Sequence, residues 1–124
     1  MNALNQFIKK SYLNLETFRK NGESIKTPVW FVQQDNLIYI YTGANSGKVK
    51  RIRHNGRVNL VPCNAGGKPL GTWVPALVRE VRDQTIKDQI DKLLEKKYGL
   101  MKKLFFRRNS AQENTVLEVK LDEL

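Results

Sequence analysis

The chain has 124 residues, with 22 Lys and Arg against 12 Asp and Glu, a formal charge of +10. That length suits a single domain over residues 1–124, and 40% hydrophobic with 27% charged residues excludes a disordered chain. One cysteine, Cys63, and one histidine, His54, exclude a disulfide framework, a multi-cysteine metal cluster and a local zinc ligand set.

Residues 2–10 predict a short amphipathic helix, with Leu4, Phe7 and Ile8 at helical spacing. Tyr12 to Phe18 reads as a strand that ends in the turn Lys20-Asn21-Gly22-Glu23, where Asn and Gly tolerate positive φ. Ile25 to Gln33 is rich in β-formers and reads as the second strand. Asp35-Asn36 turns the chain into a third, Leu37 to Thr42. These three strands form an antiparallel meander. Gly43-Ala44-Asn45 breaks the sheet, and Ser46 is a candidate N-cap for a short helix over Gly47 to His54. Val58 to Pro62 and Gly71 to Val81 read as strands, separated by a glycine-rich loop. Thr85 to Tyr98 has the clearest helical period, with Gly99 as its stop. Leu100 to Arg108 reads as a further helical turn or two, 109–114 as a polar loop, and Thr115 to Leu121 as the last strand. Six strands with short turns and inserted helices predict a mainly β chain folded as a small barrel, not a parallel doubly wound sheet.

No apolar run reaches the roughly 18–20 residues of a membrane span. The first ten residues lack the order of a signal peptide. The expectation is therefore a cytoplasmic protein without a membrane partner.

The positive charge is unevenly placed. Lys48, Lys50, Arg51, Arg53 and Arg57 fall within ten residues that hold no acid, whereas 61–124 carries 12 basic and 9 acidic side chains. The basic stretch lacks the aromatic interleaving of a single-strand platform and the helix-turn-helix pattern of a duplex reader, so nucleic acid is not the expected partner. Gly43-Ala44-Asn45-Ser46-Gly47-Lys48-Val49 is one residue short of a phosphate loop between its glycines, and Val49 stands where a magnesium-binding Ser or Thr is needed. Nucleoside triphosphatase chemistry is excluded, but the physics of the segment remains. A strand ends, glycines let the backbone approach a ligand, and a helix begins with Lys48 in its first turn and Arg51 beyond it, which together make an anion site.

The strings Thr17-Phe18-Arg19-Lys20-Asn21-Gly22, Thr27-Pro28-Val29-Trp30-Phe31, Tyr41-Thr42-Gly43-Ala44-Asn45-Ser46-Gly47-Lys48-Val49-Lys50-Arg51-Ile52-Arg53 and Val58-Asn59-Leu60-Val61-Pro62-Cys63 resemble, in this order, the pyridoxamine-phosphate-oxidase-like split-barrel family. Within it they look like the subgroup described as coenzyme F-420-dependent. The resemblance implies a six-stranded split β-barrel of the FMN-binding type, paired as a homodimer with cofactor sites at the subunit interface. It implies a cofactor phosphate held by the loop-to-helix segment, matching Thr42, Ser46, Lys48 and Arg51, with Tyr41, Gly47 and Lys50 completing the candidate cofactor-binding set. It also implies an isoalloxazine-type ring lying against the strand at Thr27, Pro28 and Val29. Pro28 agrees with this, because it lacks a ladder donor and belongs on an edge or a bulge, where backbone is left free for a ligand. Oxidases proper of this family carry a histidine-containing basic motif near the C-terminus that Thr115 to Leu124 does not match, so vitamin B6 oxidation is not expected.

The residues contain no catalytic acid–base pair and no metal site. Cys63 reads as a buried or semi-buried thiol without catalytic duty, and His54, at the end of a basic helix, as a satisfied or exposed histidine rather than a general base. The expected function is an oxidoreductase in which coenzyme F-420 (deazaflavin) or FMN transfers hydride to or from an unsaturated small molecule. The alternative is a non-catalytic flavin or deazaflavin carrier on the same fold.

Overall fold

The computed structural model describes residues 3–99 and 114–122; the expectations for 100–113 lie outside these. A short 3-10 helix, Ala3–Phe7, takes the place of the longer helix expected at 2–10. It leads into β1 (Tyr12–Phe18), β2 (Ser24–Val29), β3 (Phe31–Gln34) and β4 (Leu37–Gly43). Then follow α1 (Gly47–His54), β5 (Arg57–Cys63), β6 (Val74–Val81), α2 (Gln84–Tyr98) and β7 (Asn114–Leu121). All seven strands lie in one antiparallel sheet of order β2-β1-β5-β6-β7-β4-β3.

The run Ile25–Gln33, expected as one strand, is thus two, with Trp30 between them. β2 pairs with β1 up to Leu13↔Val29, and β3 pairs with β4 from Phe31↔Ile40. The two strands are the opposite edges of the sheet, yet one residue joins them. The sheet must therefore curl until its edges meet at Trp30, which makes a barrel. Counted as one bent strand, β2 and β3 restore the expected six.

The bend splits the barrel in two places. Continuing the β1–β2 register would place Ser11 opposite Phe31. That gap is filled by α2: the Tyr98 hydroxyl accepts from the Phe31 N–H at 3.0 Å and lies 2.8 Å from the Ser11 carbonyl and 3.0 Å from that of Phe31. Lys97 Nζ donates to the Phe31 carbonyl at 2.7 Å and sits 3.7 Å from the Phe31 ring centroid. The Trp30 and Tyr98 rings stack at 4.3 Å. Both backbone groups of Phe31 thus face away from β4, and α2 satisfies them where no strand does. On the other side of the bend, continuing the β3–β4 register would place Thr42 opposite Val29 and Gly43 opposite Pro28. There no ladder joins β2 to β4, which leaves a cleft between the two strands.

Leu13, Leu15, Ile38, Ile40, Leu60, Leu117 and Val119 fill the barrel interior, each fully buried. Each such side chain contributes about 1.5–3 kcal/mol. Phe7 of the 3-10 helix closes one end, packed edge-on against Phe31 at 5.9 Å. Val49 and Ile52 of α1, one helical turn apart, close the other. A second cluster lies between the outer face of the sheet and α2, where Ile90 and Leu94 meet Val32, Tyr39, Val81 and Val116. Asp83 caps α2 by accepting from the N–H groups of Thr85 and Ile86, and Gly99, at φ +58°, ends it. The strand expected from Gly71 begins only at Val74. The Gln6 side chain exchanges two hydrogen bonds with the backbone of Thr72 and takes the place of a ladder partner there.

Although the Lys97 side chain runs along the surface, its ammonium tucks against Phe31, and burial lowers its pKa to about 8 from 10.5. The folded chain therefore loses this proton before the unfolded chain does, so stability rises with pH above about 8. Above about 10 the trend reverses, because burial keeps Tyr98 protonated in the fold while the unfolded tyrosine ionises. In chemical denaturation, the stability of wild type relative to Lys97→Met is expected to increase from pH 8 to 10; a flat difference would contradict this account.

Candidate functional site

The cleft between β2 and β4 runs directly into the start of α1, because only Ala44, Asn45 and Ser46 separate β4 from the helix. Ser46 N donates to the Gly43 carbonyl at 3.1 Å, which turns the chain. The first intrahelical bond, from Lys50 N to the Ser46 carbonyl, leaves the N–H groups of Gly47, Lys48 and Val49 unused by the helix. Ser46 stands at the N-cap position, as expected, but its side chain makes no cap bond. Its Oγ is buried without a hydrogen-bond partner.

Two anchors hold α1 across the barrel end. Arg51 Nε donates to Thr17 Oγ1 on β1 at 2.7 Å. Arg53 makes a two-bond pair with Glu80 on β6, at 2.9 and 3.0 Å, and Thr115 on β7 donates to the same carboxylate at 2.7 Å. The Arg53 bond holds Glu80 below the usual carboxylate range. Arg51 lies so close to the helix start that a Cβ on Gly47 would come within 2.8 Å of its Nη1.

The cations at this corner are not neutralised. Among the described residues no carboxylate pairs with Lys48, Lys50 or Arg51. Burial, then the nearby Arg51 charge, lowers the pKa of Lys48; burial, then Arg19, lowers that of Arg51. A buried hydroxyl without an acceptor, three free helix N–H groups and cations that repel one another are all relieved by one anion. The residues present fit the phosphate of a nucleotide-like cofactor.

The structure gathers most of the predicted residues here. Ser46, Gly47, Lys48 and Arg51 lie at the helix start, with Lys48 and Arg51 one turn apart. Thr27, Pro28 and Val29 form one lip of the cleft. Thr27 is on the face of β2 that carries Ile25, the partner of Thr17, and two residues along the strand from it, about 7 Å. Thr42 begins the other lip, although its side chain is buried in the barrel interior, opposite Thr115. Two residues stand apart: Lys50 is exposed on another face of α1, and the Tyr41 side chain joins the α2 cluster. Phe31 is core, and Trp30 is the half-buried stacking partner of Tyr98. Cys63 is buried, and its thiol pKa is pushed up by that burial. His54 is exposed.

Sequence reasoning left out Thr17 and Arg19 at this corner. The signal was there for Thr17: a hydroxyl in the interior series Leu13, Leu15, Thr17 needs a polar partner once buried, and Arg51 supplies it. On the other flank of α1 a cavity of about 450 Å³ opens between Arg53, Arg79, Glu80 and Arg82, above Val49 and Ile52. None of the predicted residues except the helix itself borders it.

A closed antiparallel sheet, split at one bend and plugged by α1, defines the flavin-binding split-barrel class. The chain belongs to the family described as pyridoxamine 5′-phosphate oxidase, whose pattern matches residues 1–124. Among curated proteins none matches the sequence. Several solved structures share the fold at low identity. HutZ of Vibrio cholerae, described as a haem storage protein, aligns with a TM-score of 0.74 at 13% identity, over 94% of this chain and 84% of that one. A Listeria innocua protein provisionally described as a pyridoxamine 5′-phosphate oxidase gives 0.71 at 14%, over 97% and 90%. A protein of Mesorhizobium loti described as FAD-binding gives 0.67 at 16%, over 99% and 90%. Among the described residues no helix is long and apolar enough to cross a membrane.

Gly47→Ala separates stability from binding. Gly47 does not need positive φ, and the neighbour in the way of a Cβ is the far end of the Arg51 side chain. Thermal stability is expected to hold or to rise by up to about 1 kcal/mol, since alanine favours the helix. Displacing the guanidinium is expected to weaken binding of inorganic phosphate by about 1 kcal/mol, roughly fivefold. Melting curves and phosphate titration by calorimetry check the two arms; unchanged phosphate affinity would remove Arg51 from the site.

Proposed function

We propose that the chain is an oxidoreductase that works with coenzyme F-420 or FMN, acting as a cytoplasmic homodimer. The observation that carries this reading is the uncompensated corner at the start of α1, where Ser46, Lys48 and Arg51 fit a cofactor phosphate. Family membership supports a flavin-type cofactor, and the subgroup resemblance of the strings at 27–31 and 41–53 favours the deazaflavin.

Either cofactor, when bound, supplies hydride transfer to or from an unsaturated small molecule. The chain's own part is to bind and orient. Lys48 and Arg51 give charge-assisted hydrogen bonds to the phosphate, and the N–H groups of Gly47 to Val49 add the helix dipole. Ser46 Oγ donates to the same group and so gains the partner it lacks. Thr17 keeps Arg51 aimed at the helix start. The lip at Thr27 to Val29 offers the unpaired edge of β2 to the ring, where Pro28 can accept through its carbonyl but cannot donate, while Thr27 and Val29 are tied to β1. Neither His54 nor Cys63 has a place in this arrangement, so His54→Gln and Cys63→Ser are expected to keep most turnover. The homodimer is supported by Leu70 and Leu77, each 51% exposed.

A second reading is a carrier without turnover. The haem storage protein of Vibrio cholerae, which shares this fold, favours it.

Titrating FMN and F-420 side by side into the purified chain, with fluorescence as the signal, tests the main reading. Lys48→Ala is expected to weaken the cofactor that binds by about 1.5–3 kcal/mol, and Lys120→Ala, an exposed lysine on β7, to leave it unchanged. Equal affinities in the two variants, or no binding of either cofactor, would overturn it. Oxidation of the reduced cofactor with a panel of acceptors separates enzyme from carrier. Light scattering is expected to give twice the mass of one chain.

A further inference from the structure

The two gaps of the barrel share one pivot. Trp30 belongs to neither ladder: β1 and β2 stop pairing at Leu13↔Val29, and β3 and β4 start at Phe31↔Ile40. Whatever sets the spacing at Ser11 and Phe31 on one side of Trp30 therefore sets the direction in which Thr27 to Val29 leaves on the other.

On that side the Tyr98 hydroxyl stands where the ladder of β1 would otherwise meet β3. It takes up the N–H of Phe31 and touches the carbonyls of Ser11 and Phe31, all within 3.0 Å. Without a hydroxyl there, Ser11 and Phe31 are in register to bond each other directly. That would draw β3 toward β1 and rotate the bend. The ring stack on Trp30 and the Lys97 bond to the Phe31 carbonyl hold the same point from above. Among the described residues no carboxylate is paired with Lys97, so the contact is held by hydrogen bonds and ring packing.

We propose that Tyr98, assisted by Lys97, is a positioning residue that fixes the opening of the cleft between β2 and β4. The hydroxyl acts as a spacer in the first gap, and the width of the second follows from it. This rests on the reading that the cofactor ring lies against Thr27 to Val29, but the spacer itself is a property of the free chain.

The test uses the full chain with Tyr98→Phe, which keeps the stack on Trp30 and the apolar packing, and Lys97→Met as a second variant outside the core. Amide hydrogen exchange of the free protein is expected to quicken about tenfold at Thr27, Val29 and Phe31 and to stay unchanged at Leu60 and Ala76 in the centre of β5 and β6. Affinity for FMN and F-420, each titrated separately, is expected to fall roughly fivefold, while inorganic phosphate binds as before, because the start of α1 is untouched. Lys97→Arg is expected to restore the wild-type exchange pattern that Lys97→Met loses. Unchanged exchange at 27–31, or equal losses for phosphate and for the cofactors, would overturn the proposal. Should wild type bind neither cofactor, the functional reading fails, and the exchange arm alone still decides whether Tyr98 holds the bend.

Discussion

A single residue, Trp30, separates the two edge strands of the sheet, and that spacing dictates the rest of the architecture. Edge strands normally expose rows of unpaired backbone groups. Here the edges are joined covalently, so the sheet has to close, and it can close only imperfectly because one strand cannot bond on both sides along its whole length. The imperfection is divided into two gaps. One is filled from within the chain by α2. The other is bridged by no ladder and meets the strand-to-helix turn that leads into α1. The candidate site is thus a by-product of barrel closure, and it lies where the closure is least complete.

The charge arrangement around α1 follows from the same geometry. A helix laid across the end of a barrel must be tied to strands on both sides. Arg51 reaches Thr17 on β1, and Arg53 reaches Glu80 on β6. The second tie is neutral overall and is fastened further by Thr115. The first is not: it leaves a guanidinium near Lys48 that no carboxylate among the described residues pairs with. Burial, and after it the like charge of Arg51 on Lys48 and of Arg19 on Arg51, lowers the affinity of both groups for their protons. Such an arrangement is useful when an anion from outside completes it.

Much of this was legible in the residues. The turns at Asn21-Gly22 and Asp35-Asn36, the short basic helix at Gly47–His54 and the long amphipathic helix were readable because positive-φ residues, caps and a 3.6-residue period are local signals. The break at Trp30 was not, because Ile25 to Gln33 is locally consistent with one strand and divides only when β1 and β4 compete for its two halves. The late start of β6 had the same origin, since it depends on Gln6 reaching across more than sixty positions to Thr72. At the site, Lys48 and Arg51 were found from helical spacing. Tyr98 was read as a helix terminus, because nothing near it in the chain reveals that its hydroxyl would replace a strand. Lys50 and Tyr41 came with their neighbours and were separated from them by periodicity, one on another face of α1 and the other on the outer face of β4.

The order of the strands bears on how the molecule is made. β7 lies between β6 and β4, with Val119 in register with Val78 on one side and Ile38 on the other. It is also the last of these seven strands in chain order. Until it emerges, the two hairpins β1–β2 and β3–β4 and the β5–β6 pair can form from contacts close in sequence, but β4 and β6 each present a bare, largely apolar flank. The nascent chain is therefore two unfinished half-sheets joined at one bend. Folding waits on the final strand as a keystone, and the interval before its arrival is when the chain is most open to misassociation.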